Sequence, residues 1–254
     1  MNQERSFFSV GGVVAQSVFV GALVALWYAS THVWHVPAIL LPEPTGVFQR
    51  VALLVTNATF LEPLGTTMHE VAVAFAISTV AGIVASYLVT RSAWLVEVFD
   101  PLFTSINAVP AILFFPLFAL LFGLGPGSKI ALGITISFFP IVLNTITAFA
   151  SVDPVHVRAA RSMGASNWHM LRYVLLPTAI PVLLAGLRMG LTLAFLSVLG
   201  GETIASFGGL GHEIAESSQA MDSELMYAWI LIVICVSTLL NLALTVLERL
   251  GARR

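Results

Sequence analysis

One polar stretch stands out in this chain, running from Arg158 to Pro177 with the sequence RAARSMGASNWHMLRYVLLP. It concentrates three arginines, a histidine and a tryptophan in a protein of which only 9% of the residues are charged. A charged, helix-prone segment of this kind between apolar spans is suited to docking a soluble partner. The chemistry that these residue types indicate is recognition, not bond making.

The segment predicts two short helices broken at a glycine. Asp153 can cap the free amides of the first helix, and Pro154 suits its first position. Gly164 fits a left-handed stop at its end. Ser166 can cap a second helix that extends to about Val174, and the proline at position 177 then closes the loop and opens the next span.

The first of these helices carries two distinct faces. Ala159, Ala160 and Met163 form a narrow face of small and flexible side chains, while Arg158 and Arg161 share a neighbouring face because they lie three residues apart. The spacing alone leaves two alternatives open. The loop is either a compact knob that enters a groove of a partner or an amphipathic connector that rests on the membrane surface.

Enzymatic functions find little support in the sequence. Lys129 is the single lysine, and it stands between Ser128 and Ile130, so the chain has no phosphate-binding loop of the Gly-Lys-Ser/Thr type. The chain has two His-Glu pairs, His69-Glu70 and His212-Glu213. Neither is followed by the second histidine that the helix of a zinc protease carries. The lone cysteine, Cys235, excludes a multi-thiolate metal site. We therefore expect no catalytic, metal or cofactor site in this chain.

The composition predicts an integral membrane protein. Apolar residues make up 58% of the chain, whereas an ordinary soluble domain carries about 25% charged residues. The apolar runs are continuous and do not alternate, so they predict helices of about 20 residues and not a barrel. We predict one all-α transmembrane domain, 1–254, with a cytoplasmic loop at 151–177 and six spans at approximately 7–29, 71–89, 102–122, 130–150, 178–199 and 226–247.

Some segments admit two interpretations. The first span resembles a signal peptide, but its apolar part is too long and no cleavage site follows, so we expect it to be retained. Residues 37–66 predict a helix that lies at the outer interface or packs on neighbouring spans. Pro110, Pro116 and Pro140 interrupt the third and fourth spans, either because these spans line a pathway or because they are kinked for packing.

Positive charge sets the expected orientation, with both termini in the cytoplasm. This assignment places most of the basic residues inside and only Arg50 and Lys129 outside. The inside residues are Arg5, Arg91, Arg158, Arg161, Arg172, Arg249, Arg253 and Arg254. The net charge of −2 argues against a nucleic-acid partner.

Four polar residues within or beside the spans are candidates for a translocation pathway. Arg188 is a charge inside a span, so it faces a cavity, pairs with a carboxylate or snorkels to the inner face. Glu202 lies at the outer end of the fifth span and either lines the entry or sits at the interface. Asn144 and Asn107 are explained equally by hydrogen bonds between helices. Gly186 and Gly190 form a G-x-x-x-G pattern, which allows close helix packing.

The 151–177 loop resembles the cytoplasmic loop of bacterial ATP-binding-cassette importer permeases, whose pattern is Glu-Ala-Ala-x3-Gly-x9-Ile-x-Leu-Pro. The chain has Arg158 where that family usually has Glu. The remaining positions agree or nearly agree, and they are Ala159, Ala160, Gly164, Val174, Leu176 and Pro177. Other stretches, including PAILFFPLFALLFGLGPGSK and the glycine series from Gly201 to Gly211, resemble the sulfonate, taurine and nitrate branch of these permeases.

The resemblance implies a type I importer permease in the bacterial inner membrane. Its partners would be a second copy of the chain, two ATP-binding subunits that hold ATP and Mg, and an extracytoplasmic solute-binding protein. The branch favours small sulfonates, nitrate or heterocyclic precursors as solutes, and Arg188 indicates that the solute is an anion. The residues implied to dock on the ATPase are Arg158, Ala159, Ala160, Arg161, Met163, Gly164, Ala165 and Pro177.

Two alternatives belong to other functional classes. An ion-coupled secondary carrier needs carboxylates within the membrane and often has repeated halves, and the sequence shows no clear internal repeat. An integral-membrane enzyme needs catalytic motifs, which the sequence does not offer.

Overall fold

The computed structural model describes residues 10–251, and every regular element within this range is helical. Residues 7–9 of the predicted first span, together with Arg5, Arg253 and Arg254, lie outside the described residues. The helices are α1 (Val10–His32), α2 (Pro44–Thr56), α3 (Leu61–Val89), α4 (Ala93–Asn107), α5 (Phe115–Phe122), α6 (Pro126–Ala150), α7 (Pro154–Ser162), α8 (Asn167–Met170), α9 (Leu176–Ile204), α10 (Leu210–Gln219) and α11 (Ser223–Gly251).

The prediction of an all-helical protein is confirmed, with five or six apolar spans. Helices α1, α3, α6, α9 and α11 are each long and apolar enough to cross a membrane. The segments Ala93–Asn107 (α4) and Ala111–Phe122, which ends with α5, pass the same test together and are bent by 74° at a short break, so they count as one broken span or as a re-entrant loop. Pro110 stands at this break, directly before a short 3-10 turn at Ala111–Phe114. The helix is interrupted here because proline lacks the backbone N–H that a continuous helix requires.

The helix bounds differ from the predicted spans in informative ways. Helix α3 begins ten residues before the predicted start at 71, and α6 begins four residues before 130, because helices continue beyond the apolar window into polar first turns. The segment 37–66 contains the predicted helix α2. Helix α10 lies between the predicted fifth and sixth spans, outside the predicted helices.

The internal contacts of the chain divide it into two units, of which the first comprises residues 1–60 and 214–232. Aromatic and polar side chains hold this unit together. The Trp27 indole donates to the Pro42 carbonyl at 2.9 Å, and the Tyr227 hydroxyl donates to the Leu40 carbonyl at 3.0 Å. The Trp27 and Tyr227 rings pack with centroids 6.1 Å apart. These contacts fix the extended segment before α2.

An ion-pair group closes the same unit. Arg50 on α2 lies 3.3 Å from a carboxylate oxygen of Asp222 and 3.6 Å from one of Glu224. All three side chains are partly exposed, so each pair contributes at most about 1 kcal/mol. Arg50, predicted to lie in an outer segment, therefore stands among acidic side chains of the segment after α10.

The second unit comprises residues 61–213 and 233–254, and within it α6 packs between α3 and α9 at glycine contacts. A Cβ added at Gly82 of α3 would lie 2.7 Å from Ile141, and one added at Gly190 of α9 would lie 2.5 Å from the same side chain. The helices therefore approach one another more closely than larger side chains allow.

Serine hydroxyls add polar links between α3 and α6. Ser137 donates to the Ser78 hydroxyl at 2.7 Å, and Ser78 lies 3.3 Å from the Ile134 carbonyl. Ser86 reaches the Val142 carbonyl at 3.0 Å. Such hydrogen bonds stabilise helix pairs in an apolar solvent, where a buried hydroxyl without a partner is costly.

Replacement of glycine by alanine should affect the stability of the protein differently at Gly186 and at Gly65. Gly186→Ala places a Cβ 2.5 Å from the Cβ of Asn144, which is fixed by the α6 backbone, so it should lower the free energy of unfolding by about 1–3 kcal/mol. Gly65→Ala meets no atom within 4 Å and should be neutral or stabilising by up to about 1 kcal/mol. Thermal unfolding in detergent micelles measures both, and equal melting temperatures would contradict the close packing of α9 on α6.

Candidate functional site

The first helix of the 151–177 loop begins and ends at the residues that the sequence indicates. The Asp153 carboxylate accepts a hydrogen bond from the Val155 amide at 2.8 Å and so caps α7. Gly164 ends the helix with φ +75°, a value that favours glycine. The Ala165 amide then donates to the Ala160 carbonyl at 3.0 Å.

The second helix of the loop leads without a break into the following span. Ser166 caps α8 by accepting from the His169 amide at 3.3 Å. A π-helical turn, Leu171–Leu175, then joins α8 directly to α9. Pro177 lies in the first turn of α9. Because the backbone is already helical from α8 through the π-helical turn, this proline stands within a continuous helix and does not close the loop.

The inner side of the loop is packed against the ends of the spans. Val157, Leu171 and Val174 lie against a buried cluster that contains Phe149 and Leu183. Met170 is also buried. In addition, the Tyr87 hydroxyl at the end of α3 donates to the Asn167 carbonyl at 3.0 Å. The loop is therefore attached to α3, α6 and α9 together.

The outer side of the loop presents an exposed surface, which we call the docking face. Met163 is 84% exposed and Trp168 is 61% exposed, and both are large apolar side chains. Arg158, Ala159 and Arg161 are also exposed and complete the docking face. Of the other predicted docking residues, Gly164 and Pro177 are exposed, and Ala160 and Ala165 are half-buried.

Trp168 was not among the predicted docking residues, although its side chain is exposed on the same surface. In the sequence, the position of Trp168 within a charged loop was the feature that could have indicated its exposure. Among the residues whose side chains the structure describes, neither Arg158 nor Arg161 forms an ion pair. Their guanidinium groups are therefore available to a partner.

Two of the pathway candidates take part in helix packing. The Asn144 amide donates to the Pro140 carbonyl at 2.8 Å, one turn earlier on α6, and Gly186 packs against its Cβ. Arg188 on α9 donates from Nε to the Asn241 amide oxygen on α11 at 3.2 Å. The glycine pair at 186 and 190 therefore serves packing within the subunit.

Asn107 is the candidate that borders a cavity. It is the last residue of α4, and it lies beside a cavity of about 310 Å³ at the break between α4 and α5. The remaining candidates, Asn144, Arg188 and Glu202, do not line this cavity. Its lining consists of Ile106, Asn107, Val109, Pro110, Ala111, Ile112, Phe114, Thr135, Ile136 and Phe139.

Glu202 is buried, with only 1% of its surface exposed, and it holds a folded-back turn. Its carboxylate accepts from the Thr67 hydroxyl at 2.8 Å and from the Gly211 amide at 2.8 Å. Thr67 in turn accepts from the Leu210 amide at 2.9 Å. Gly209 has φ +104° and passes so close to Glu202 that a side chain would not fit. The glycine series after α9 thus wraps around this carboxylate.

Lys129 and Glu70 lie near Glu202, and we call the three residues the buried charge cluster. Lys129 and Glu70 are each 1% exposed. The Lys129 ammonium donates to the carbonyls of Leu124 and, at 3.0 Å, Gly125. It also attracts both carboxylates, which repel each other.

The sequence interpretation counted Lys129 as an outer loop charge and did not single out Glu70. Both enter the bundle because α6 and α3 begin earlier than the apolar windows suggested. One carboxylate oxygen of Glu70, Oε2, is buried and has no hydrogen-bond partner among the described residues. The cluster therefore holds two carboxylates for one cation.

Comparison with known proteins places these features in a family. Residues 78–254 match the family described as binding-protein-dependent transport system inner membrane component. The chain is 27% identical over 235 residues to the taurine transport system permease protein TauC of Escherichia coli, covering 91% of this chain and 86% of that protein. It is 29% identical over 231 residues to the riboflavin transport system permease protein RibX of Chloroflexus aurantiacus, covering the same shares.

A third relative and a solved structure agree with this placement. The formylaminopyrimidine transport permease protein ThiX of Halalkalibacterium halodurans is 27% identical over 234 residues, covering 92% of this chain and 93% of that protein. An inward-facing structure of the MetNI methionine ABC transporter aligns with a TM-score of 0.61 at 20% identity, covering 74% of this chain and 91% of that one. Because the sequence identity is only 20%, this structural similarity supports the assigned fold and nothing further.

The buried charge cluster predicts a difference between two charge-removing variants. Lys129→Met removes the cation near two buried carboxylates together with the hydrogen bonds of the ammonium to the Leu124 and Gly125 carbonyls, so it should lower the free energy of unfolding by about 1–3 kcal/mol. Glu70→Gln keeps the shape of the side chain and leaves one cation with one carboxylate, so it should change stability by less than about 1 kcal/mol or stabilise the protein. Thermal unfolding in lipid nanodiscs compares them, and a larger loss for Glu70→Gln would refute the assigned charge balance.

Proposed function

Because the chain belongs to the family of binding-protein-dependent transport system inner membrane components, we propose that it is the permease subunit of an ATP-driven importer. The observation that carries this proposal is the 151–177 loop. Its inner side is packed on three spans, while its outer side exposes Met163, Trp168 and two arginines. A surface that is both anchored and apolar is suited to a partner that must push or pull on the spans.

The proposed mechanism is alternating access driven from the loop. ATP binding draws two ATPase subunits together, and the docked loops move with them. Because the π-helical turn joins the loop to α9 without an interruption, its displacement passes directly into that span. Hydrolysis then resets the spans. The ATPase subunits hold ATP and Mg²⁺, and this chain carries out no covalent chemistry.

The proposed assembly contains two copies of this chain, two ATPase subunits and an extracytoplasmic solute-binding protein in the bacterial inner membrane. The distribution of arginines supports cytoplasmic termini and a cytoplasmic docking face. In this orientation the segment that links α3 to α4, which contains Arg91, also faces the cytoplasm.

The solute is proposed to be a small organic molecule. The relatives are named as transport permeases for taurine, riboflavin and formylaminopyrimidine, so similarity near 27–29% identity does not select among these solutes. The expectation of an anion depended largely on Arg188. That guanidinium donates to Asn241 on α11 and does not line the cavity beside Asn107.

An ion-coupled secondary carrier is the weaker alternative. Its coupling carboxylates would have to face the pathway, whereas Glu202 is buried and bonded to Thr67 and Gly211. Uptake that survives ATP depletion but collapses with the proton gradient would favour this carrier over the importer.

Widening one small side chain on the docking face should release the ATPase. Ala159→Trp projects a bulky ring from an exposed position of α7, so it should leave the fold of the chain intact. In a close-fitting interface the ring should cost about 1–3 kcal/mol and reduce co-purification of the ATPase roughly tenfold. Co-purification with the adjacent ATPase gene product is the measurement.

The matched control is Ala93→Trp, an exposed alanine at the start of α4 on the same proposed side of the membrane. We expect this variant to retain the ATPase at the level of the original chain. Equal retention by both variants would mean that the ATPase does not dock on α7.

The cation at position 158 predicts an acidic counterpart in the groove of the ATPase. Arg158→Glu would place like charges together, whereas Arg158→Gln only removes the attraction. Transport should therefore fall further in Arg158→Glu than in Arg158→Gln. Uptake assays on reconstituted transporter test this order, and equal transport by both variants would remove the acidic counterpart.

A further inference from the structure

The break between α4 and α5 exposes irregular backbone within an apolar span. Such backbone is tolerated at membrane depth only where protein covers it or where it lines a cavity. Here residues 109 to 112 line the cavity of about 310 Å³ already described. A cavity of this size is in the range of small-molecule sites.

The lining of this cavity has a distinctive chemistry. None of the ten lining residues carries a charge, and eight are apolar. The polar pair is Asn107, whose amide can donate and accept, and Thr135, whose hydroxyl already donates to the Ala131 carbonyl at 2.9 Å and so retains acceptor capacity. Two aromatic rings, Phe114 and Phe139, supply flat apolar surface.

The ring of Phe139 is held in place by other aromatic residues. Its centroid lies 5.2 Å from that of Phe138 in an edge-on contact and 6.1 Å from that of Phe103. Phe103 in turn packs on Phe99 at 5.7 Å. A wall supported in this way is formed before any ligand arrives, which reduces the ordering cost of binding.

We propose that this cavity is the solute site of the permease and that it takes a small, uncharged, ring-containing molecule with an amide-like polar group. The inference rests on the proposed function and specifies its solute class. An uncharged lining gives no compensation for the lost hydration of an anion, whereas Phe114 and Phe139 can pack on a ring and Asn107 can pair with an amide. The cavity has room for roughly ten water-sized groups, which suits a single ring with substituents.

The single native cysteine makes a direct test practical. In a Cys235→Ser background, Thr135→Cys puts a thiol on the cavity wall, and Ser105→Cys puts one on an exposed position of α4 outside the lining. The full chain in lipid nanodiscs is labelled with N-ethylmaleimide in the presence of benzamide, benzenesulfonate or taurine. Benzamide and benzenesulfonate share a ring and differ in charge, and taurine is a sulfonate without a ring.

Benzamide should slow labelling of Thr135→Cys about tenfold at roughly ten times its dissociation constant, and it should leave Ser105→Cys unchanged. Benzenesulfonate and taurine should leave both rates unchanged. Stronger protection by either sulfonate would overturn the uncharged-solute inference. An absence of protection by benzamide, or equal protection of Ser105→Cys, would overturn the site itself.

A second pair of variants tests the aromatic wall. Phe139→Leu keeps the wall apolar but removes the ring, so it should weaken the protection by benzamide several-fold while Thr135→Cys still reacts. Phe122→Leu is the control, because Phe122 is exposed on α5 and does not line the cavity. Undiminished protection in Phe139→Leu would contradict the role of that ring.

The labelling assay contains no ATPase, so it is independent of the proposed coupling. Loss of ATPase co-purification would remove the importer while leaving the labelling result in place. Loss of benzamide protection with normal co-purification would remove only the solute site.

Discussion

The close packing of α6 against α3 and α9 is the constraint on which the second unit depends. Lipid offers no hydrophobic force between helices, so association there requires short contacts and hydrogen bonds. Gly82, Gly186 and Gly190 supply the short contacts, and the serines of α3 and α6 supply the hydrogen bonds. A methyl group at several of these positions would push the helices apart.

This packing connects two features at opposite ends of the same helices. At one end, Tyr87 of α3 and the buried cluster around Phe149 hold the 151–177 loop. At the other end, Thr67 of α3, Lys129 of α6 and Glu202 of α9 form a buried polar network. The loop and the buried polar network are therefore attached to the same three packed helices.

The broken span differs from its neighbours in both shape and chemistry. Helices α4 and α5 meet at 74°, and the cavity at their junction is lined by apolar and uncharged side chains. Arg188 is bonded to Asn241, and Glu202 is enclosed by the glycine-rich turn. These two charged groups thus bond to other parts of the chain, while the cavity offers ring surfaces and an amide.

The sequence by itself determined the features that depend on neighbouring residues. Apolar runs gave the spans, and Asp153, Gly164 and Ser166 gave the helix boundaries of the loop, because capping acts within one or two turns. Pro110 likewise indicated an interruption of the third span. Only the tertiary structure decided the roles of Lys129, Glu70 and Asn107. Lys129 is polar, and by local rules it belongs to a loop, yet contacts with residues some 60 to 70 positions away bury it. Such long-range contacts depend on how the helices pack, and no local pattern records them.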